Sequence, residues 1–133
     1  MEQETKKSIL AIDDAATQLS IFKTYLGAHY ELALVKSAPE ALKLMKIKLF
    51  DLILLDIEMP DFSGFEFLHE MRKIPQYMGT PVIIISSHSE PDFLSHANHS
   101  SAVCVLTKPV NSDQLKGEIA KAFSKPAKNP FDL

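Results

Sequence analysis

Short apolar runs alternate along this chain with longer stretches in which apolar residues return every third or fourth position. The runs 9–12, 30–35, 52–55, 82–85 and 102–106 have strand length, and four of them are almost free of polar residues. Uninterrupted runs of this kind predict parallel strands covered on both faces, whereas 30–35 carries Glu31 and predicts an edge strand. Between the runs, helical stripes appear: Leu19, Phe22 and Leu26; Ala38, Ala41, Leu42, Met45 and Leu49; Phe67, Leu68 and Met71; Phe93, Leu94 and Ala97; Leu115, Ile119, Ala122 and Phe123. Capping pairs mark several helix starts, namely Ser37 with Glu40, Ser63 with Glu66, Ser89 with Asp92 and Asn111 with Gln114. Pro39 and Pro91 fall in first turns, where a missing N–H costs little. Strand-then-helix units in series predict an α/β fold with a parallel sheet and right-handed crossovers. Residues 1–124 read as one domain, and 125–133, with two prolines and no period, as a tail or the start of a linker.

Composition narrows the class. At 133 residues, 46% hydrophobic and 23% charged, the chain reads as one ordinary globular domain. A net charge of -3 gives no electrostatic case for nucleic acid or an anionic membrane as partner. No apolar run approaches membrane-spanning length, and the charged N-terminus lacks the apolar core of a signal peptide. The single cysteine, Cys104, excludes an internal disulfide, fits a reducing cytoplasm and reads as a buried, inert thiol.

The chemistry sits where the strands end. The first run ends in Asp13-Asp14, the third in Asp56, the fourth in Ser86-Ser87 and the fifth in Thr107-Lys108-Pro109. In an open parallel sheet these carboxyl ends share one edge, and ligands bind there. Taken singly, each aspartate is an ordinary loop starter, and Asp14 reads as a cap for a helix beginning at Ala15. Together, three converging carboxylates repel unless a cation joins them, and Mg²⁺ is the natural one because it accepts carboxylates and leaves room for phosphate oxygens. With the Lys108 ammonium and the Ser86 hydroxyl added, the set suits phosphoryl transfer to an oxygen nucleophile, Asp56.

These residues, within the words ILAIDD, DLILLDIEMPDFSGFEFL, PVIIISS and VLTKP, resemble the receiver domain of two-component response regulators over about residues 8–123. The resemblance implies a flavodoxin-like, doubly wound (βα)5 sandwich whose five-stranded parallel sheet runs in the order 2-1-3-4-5. It also implies that Asp56 accepts a phosphoryl group from a sensor histidine kinase or phosphotransfer protein. Asp13, Asp14, Asp56 and the backbone carbonyl of Glu58 would hold Mg²⁺. Lys108, Ser86 and Ser87 would bind the phosphoryl group, Ser86, His88 and Val105 would form the switch region, and the Lys108–Pro109 bond would be cis. Gly64 matches the glycine after the Met59-Pro60 turn, where a side chain would crowd the loop.

Certain positions depart from that pattern. Val105 stands where a reorienting aromatic ring is common, so the output change is expected in the loop and helix 87–99 instead. Glu58 occupies a position that tunes phosphoryl lifetime in the family. Ser101 replaces a usual glycine and implies a less strained turn. His88, His96 and His99 lie close together, but a zinc site lacks a clear fourth ligand, so they read as exposed polar residues with His88 near enough to modulate the site. An aspartyl-phosphate phosphatase would show a second aspartate where Glu58 stands. The expected function is therefore a phosphorylation-activated switch, with self-phosphorylation and self-dephosphorylation but no free-metabolite turnover. The alternative is a degenerate receiver that binds proteins independently of phosphate. Expected partners are a downstream protein or a C-terminal output domain, and a homodimer formed on phosphorylation. They would dock on a face that includes Asp92, His96, Val103, Lys116 and Lys121. A receiver inside a hybrid kinase is less expected, because Met1 lies close to the first strand.

Overall fold

The computed structural model describes residues 6–59, 62–88, 90–98 and 100–124. The first half contains β1 (Ser8–Ile12), α1 (Ala16–Leu26), β2 (Glu31–Val35), α2 (Ala38–Ile47) and β3 (Leu52–Asp56). The two-residue strands β4 (Glu58–Met59) and β5 (Phe62–Ser63) follow, then α3 (Gly64–Met71) and a 3-10 turn at Pro75–Tyr77. The second half is β6 (Val82–Ser86), α4 (Pro91–Asn98), β7 (Cys104–Thr107) and α5 (Ser112–Ser124). The main sheet runs β2-β1-β3-β6-β7, all pairs parallel, while β4 and β5 pair only with each other. The principal strands thus stand in the expected order 2-1-3-4-5, with β2 at one edge and its Glu31 exposed.

Every residue of β1, β3 and β6 is buried, because alternate side chains meet helices on opposite faces. Leu10, Ile12, Ile53, Leu55 and Ile84 pack with Ala41 and Met45 of α2 and Phe67 and Met71 of α3. Ile9, Ala11, Leu54 and Ile85 pack instead with Leu19, Phe22 and Leu26 of α1 and Leu115 and Ile119 of α5.

Several local expectations need correcting. Leu49 is not on the buried face of α2: the helix stops at Ile47 and Leu49 is 61% exposed. The stop is made by Tyr77, whose hydroxyl lies 2.8 Å from the Lys48 carbonyl and 3.2 Å from that of Met45, and accepts the Phe50 N–H at 3.3 Å. Tyr77→Phe is therefore expected to cost about 1–3 kcal/mol, because the Phe50 N–H and the Lys48 carbonyl lose their buried partner. Urea denaturation will measure it, and a loss below ~0.5 kcal/mol would mean that water replaces the hydroxyl.

Ser63 makes no side-chain cap for α3. Asp14 does not cap α1 either: the helix begins at Ala16, and Asp13 takes the Ala15 N–H. Cys104 is only partly buried, because β7 begins there rather than at Ala102 and is the second edge of the sheet. The pairs that hold are Ser37, which accepts the Glu40 N–H, and Asn111, which accepts the Gln114 N–H. Among the described residues none has positive φ, so the turn at Ser101 is unstrained. Its hydroxyl accepts the Arg72 Nε–H at 2.7 Å, and Arg72 also donates to the Tyr77 and Thr80 carbonyls. Pro60, Ser89, His99 and the 125–133 tail lie outside the described residues.

Candidate functional site

Register brings the strand ends together. β1 and β3 are neighbours, so Asp13, one residue past β1, meets Asp56, the last residue of β3. Both are fully enclosed, at 0% and 1% exposure, while Asp14 faces outward. One carboxylate oxygen from each of Asp13, Asp14 and Asp56 can be found within 4.8 Å of the others, the single such group of potential metal ligands among the described residues. His88 and His96 belong to no metal-binding group there.

Lys108 reaches in from the end of β7. Its N–H donates to the Ser86 carbonyl at 2.7 Å, and its peptide bond to Pro109 is cis. Its Nζ lies 3.4 Å from Asp13 Oδ2 and 3.5 Å from Asp56 Oδ1. Burial alone would lower the Lys108 ammonium, but the charges of Asp13 and Asp56 outweigh it and hold the group above its ordinary pKa. Asp56 is pushed the other way. Burial raises its carboxyl to about 6 and Asp13 adds to the shift, against the opposing Glu58 N–H and Lys108.

A single lysine does not satisfy this pair of buried carboxylates. Asp13 Oδ1 accepts the Ala15 N–H at 2.9 Å, but the buried Oδ2 accepts no aligned hydrogen bond and meets the Lys108 ammonium only at ion-pair distance, 3.4 Å. An enclosed carboxylate oxygen with an unused lone pair, beside two further carboxylates, suits a hard divalent cation in its donor type and charge.

The least anticipated feature is the Glu58 side chain. Its carboxylate does not point idly to solvent. It takes hydrogen bonds from Ser86 Oγ, Ser87 Oγ and the Ser87 N–H, and meets His88 Nε2 at 3.2 Å. Burial would raise this carboxyl, yet the Ser87 and Ser86 hydrogen bonds and the His88 ring together hold it below its usual value. The signal in the sequence was the tandem Ser86-Ser87 at a strand end, which supplies more hydroxyls than a single acceptor needs. Val105 pairs with Ile84 in the sheet and packs half-buried against the core, with no ring to turn.

Comparison with known proteins identifies the family and the fold. Residues 9–120 match the model of the response regulator receiver domain, and the chain belongs to that family. It is 35% identical over 111 residues to the two-component response regulator ARR10 of Arabidopsis thaliana, a match covering 81% of this chain and 20% of that protein. It is 35% identical over 124 residues to the alginate biosynthesis transcriptional regulatory protein AlgB of Pseudomonas aeruginosa, covering 91% of this chain and 27% of the relative. The chain therefore spans about a quarter or less of these relatives' length. Among solved structures, chemotaxis protein CheY4 of Vibrio cholerae superposes with a TM-score of 0.83 at 28% identity, covering 89% of this chain and 99% of that one. The receiver domain is a signalling module of two-component systems, and this chain carries its fold across 9–120.

Proposed function

We propose that this domain is a phosphorylation-activated switch in which Asp56 accepts a phosphoryl group from the phosphohistidine of a sensor kinase or phosphotransfer protein. The observation that carries the reading is the buried strand-end cluster, in which Asp56 shares one small volume with Asp13, Asp14 and Lys108. Asp13, Asp14, Asp56 and the Glu58 backbone carbonyl would hold Mg²⁺, which when bound supplies charge neutralisation for the transferring group.

The residues of the chain do the rest. The Glu58 N–H and the Lys108 ammonium both engage Asp56 Oδ1, at 3.1 and 3.5 Å, so the carboxylate is fixed in one orientation and its second oxygen is the nucleophile. That oxygen forms the new P–O bond as the P–N bond to the donor histidine breaks, and the electron pair leaves on the imidazole nitrogen. Lys108 then balances charge on the phosphoryl oxygens, Ser86 donates its hydroxyl hydrogen to one of them, and Ser87 lies alongside. Burial of Asp13 and Asp56 keeps bulk water from competing in this step.

Residues 1–124 are the phosphoacceptor unit in this reading, and 125–133 a tail or linker. Output passes through a protein partner, a C-terminal domain or a phosphorylation-dependent homodimer. His96, Val103, Lys116 and Lys121 are exposed and available for such contacts, and no direct nucleic-acid role is assigned to this domain. Among the described residues no helix is long and apolar enough to cross a membrane, and a cytoplasmic site of action is part of the proposal.

Incubation with acetyl phosphate and Mg²⁺ is expected to add the mass of one phosphoryl group, and EDTA to prevent it. Beryllofluoride with Mg²⁺ should shift amide resonances around Asp56, Ser86 and Lys108. Absence of both responses would favour a receiver that acts without phosphate.

A further inference from the structure

Glu58 is about one third exposed, as a solvated strand-end residue would be. Yet Ser86 Oγ at 3.1 Å, Ser87 Oγ at 2.9 Å, the Ser87 N–H at 3.3 Å and His88 Nε2 at 3.2 Å all converge on its Oε1. Ser86 is completely buried, and its oxygen accepts the His88 N–H at 3.0 Å while its only hydrogen goes to Glu58. A hydroxyl has one hydrogen to donate. Given to Glu58, it is not available to a second anion.

We propose that Glu58 is a latch for the off state: its carboxylate holds Ser86, Ser87 and His88 together, and a phosphoryl group on Asp56 must take the Ser86 hydrogen from it. The inference rests on Asp56 being the phosphoacceptor. It also supplies a route for the signal that Val105 lacks the ring to provide. The His88 ring stands 5.7 Å from Phe93 of α4, Phe93 stands 5.9 Å from Phe65 of α3, and Phe65 meets the His96 ring edge-on at 4.2 Å. Release of the Ser86 hydrogen loosens the hold of Glu58 on Ser87 and His88. Ring packing then carries that change to the exposed side of α4.

The test uses the full chain in six forms: wild type, Glu58→Ala and Glu58→Gln, each with and without the pair Ser86→Ala and Ser87→Ala. Beryllofluoride with Mg²⁺ is titrated while amide resonances are followed, with urea midpoints reporting that each form is folded. Glu58→Ala is expected to bind about tenfold more tightly than wild type, the scale of a lost charge-assisted hydrogen bond. Glu58→Gln, which keeps an acceptor oxygen without the charge, should fall between. The gain should disappear when both serines are alanine. In the free protein, the Ser87 amide should exchange with solvent several-fold faster in Glu58→Ala.

A gain that persists without the serines, or a Glu58→Gln equal to Glu58→Ala, would show simple repulsion between Glu58 and the anion and overturn the latch. So would unchanged affinity together with unchanged Ser87 exchange. Failure of the wild type to bind beryllofluoride removes the phosphoacceptor reading itself, and the latch with it.

Discussion

Asp56→Asn is expected to abolish phosphoryl uptake and, in metal-free buffer at pH 7.5, to make the protein more stable than wild type. The loss should exceed a thousandfold in rate, because an amide is not a competent nucleophile toward phosphorus. Intact mass after acetyl phosphate treatment will show it, and a variant phosphorylated to the wild-type extent would overturn the site assignment.

The stability gain follows from the buried carboxyl. In the folded protein the Asp56 pKa lies at about 6, against 3.8 for an unperturbed aspartate. A raised folded-state value means that the protonated form favours folding. That contribution is complete below 3.8 and is lost as the pH rises through about 6. At pH 7.5 wild type therefore carries an ionised, enclosed carboxylate beside Asp13, whereas asparagine is neutral and nearly isosteric. The two-unit displacement corresponds to roughly 3 kcal/mol. The lost ion pair with Lys108 offsets part of that, so a gain of about 1–2 kcal/mol is expected. Thermal denaturation at several pH values should show the gap closing toward pH 4. Addition of Mg²⁺ should stabilise wild type and leave the variant nearly unchanged. A gap that grows on acidification would contradict the assigned direction.

Gly64→Val should have the largest effect on folding. A Cβ at Gly64 would lie 2.6 Å from both Cα and Cδ1 of Ile57, and 2.9 Å from the Asp56 carbonyl oxygen. Two of those atoms are backbone, on the residues that carry and follow the candidate acceptor, so relief requires moving the end of β3. We expect a loss of about 3 kcal/mol, and about 2 for Gly64→Ala, in urea denaturation. Beryllofluoride affinity should fall with it, because the Asp56 carboxylate moves with its backbone. Gly79→Ala is the control: a Cβ there meets nothing within 4 Å, and stability should change by less than ~0.5 kcal/mol. Equal effects at both positions would mean that the close approach at Gly64 is absent in solution.

The relation between chain and fold shows most clearly at these two places. Asp56 was legible because four apolar residues precede it and the other strand ends repeat the pattern: a buried parallel strand writes itself as an apolar run, and its terminus as the first polar residue. Gly64 was legible only through its place in a motif, since glycine looks alike whether it is loose or wedged against backbone. Leu49 was misread as a helix-face residue because the residue that ends α2, Tyr77, is far along the chain and acts through one hydroxyl. The Cys104 thiol was read as buried because an apolar run does not reveal that its strand will be an edge.

The sequence by itself determined the strand-and-helix alternation, the family, and which residues stand at the ends of the strands. These depend on period and on residue type, which are local. Only the tertiary structure decided that Asp13 Oδ2 is buried with no aligned hydrogen bond and that Lys108 lies between two carboxylates. It also decided that Glu58 gathers Ser86, Ser87 and His88 around one oxygen. Those facts turn on side-chain reach and competition for hydrogens between segments far apart in the chain, 28 residues for Glu58 and Ser86 and 52 for Asp56 and Lys108. No local pattern encodes such distances, because they are set by how the sheet registers β1 against β3, β3 against β6 and β6 against β7.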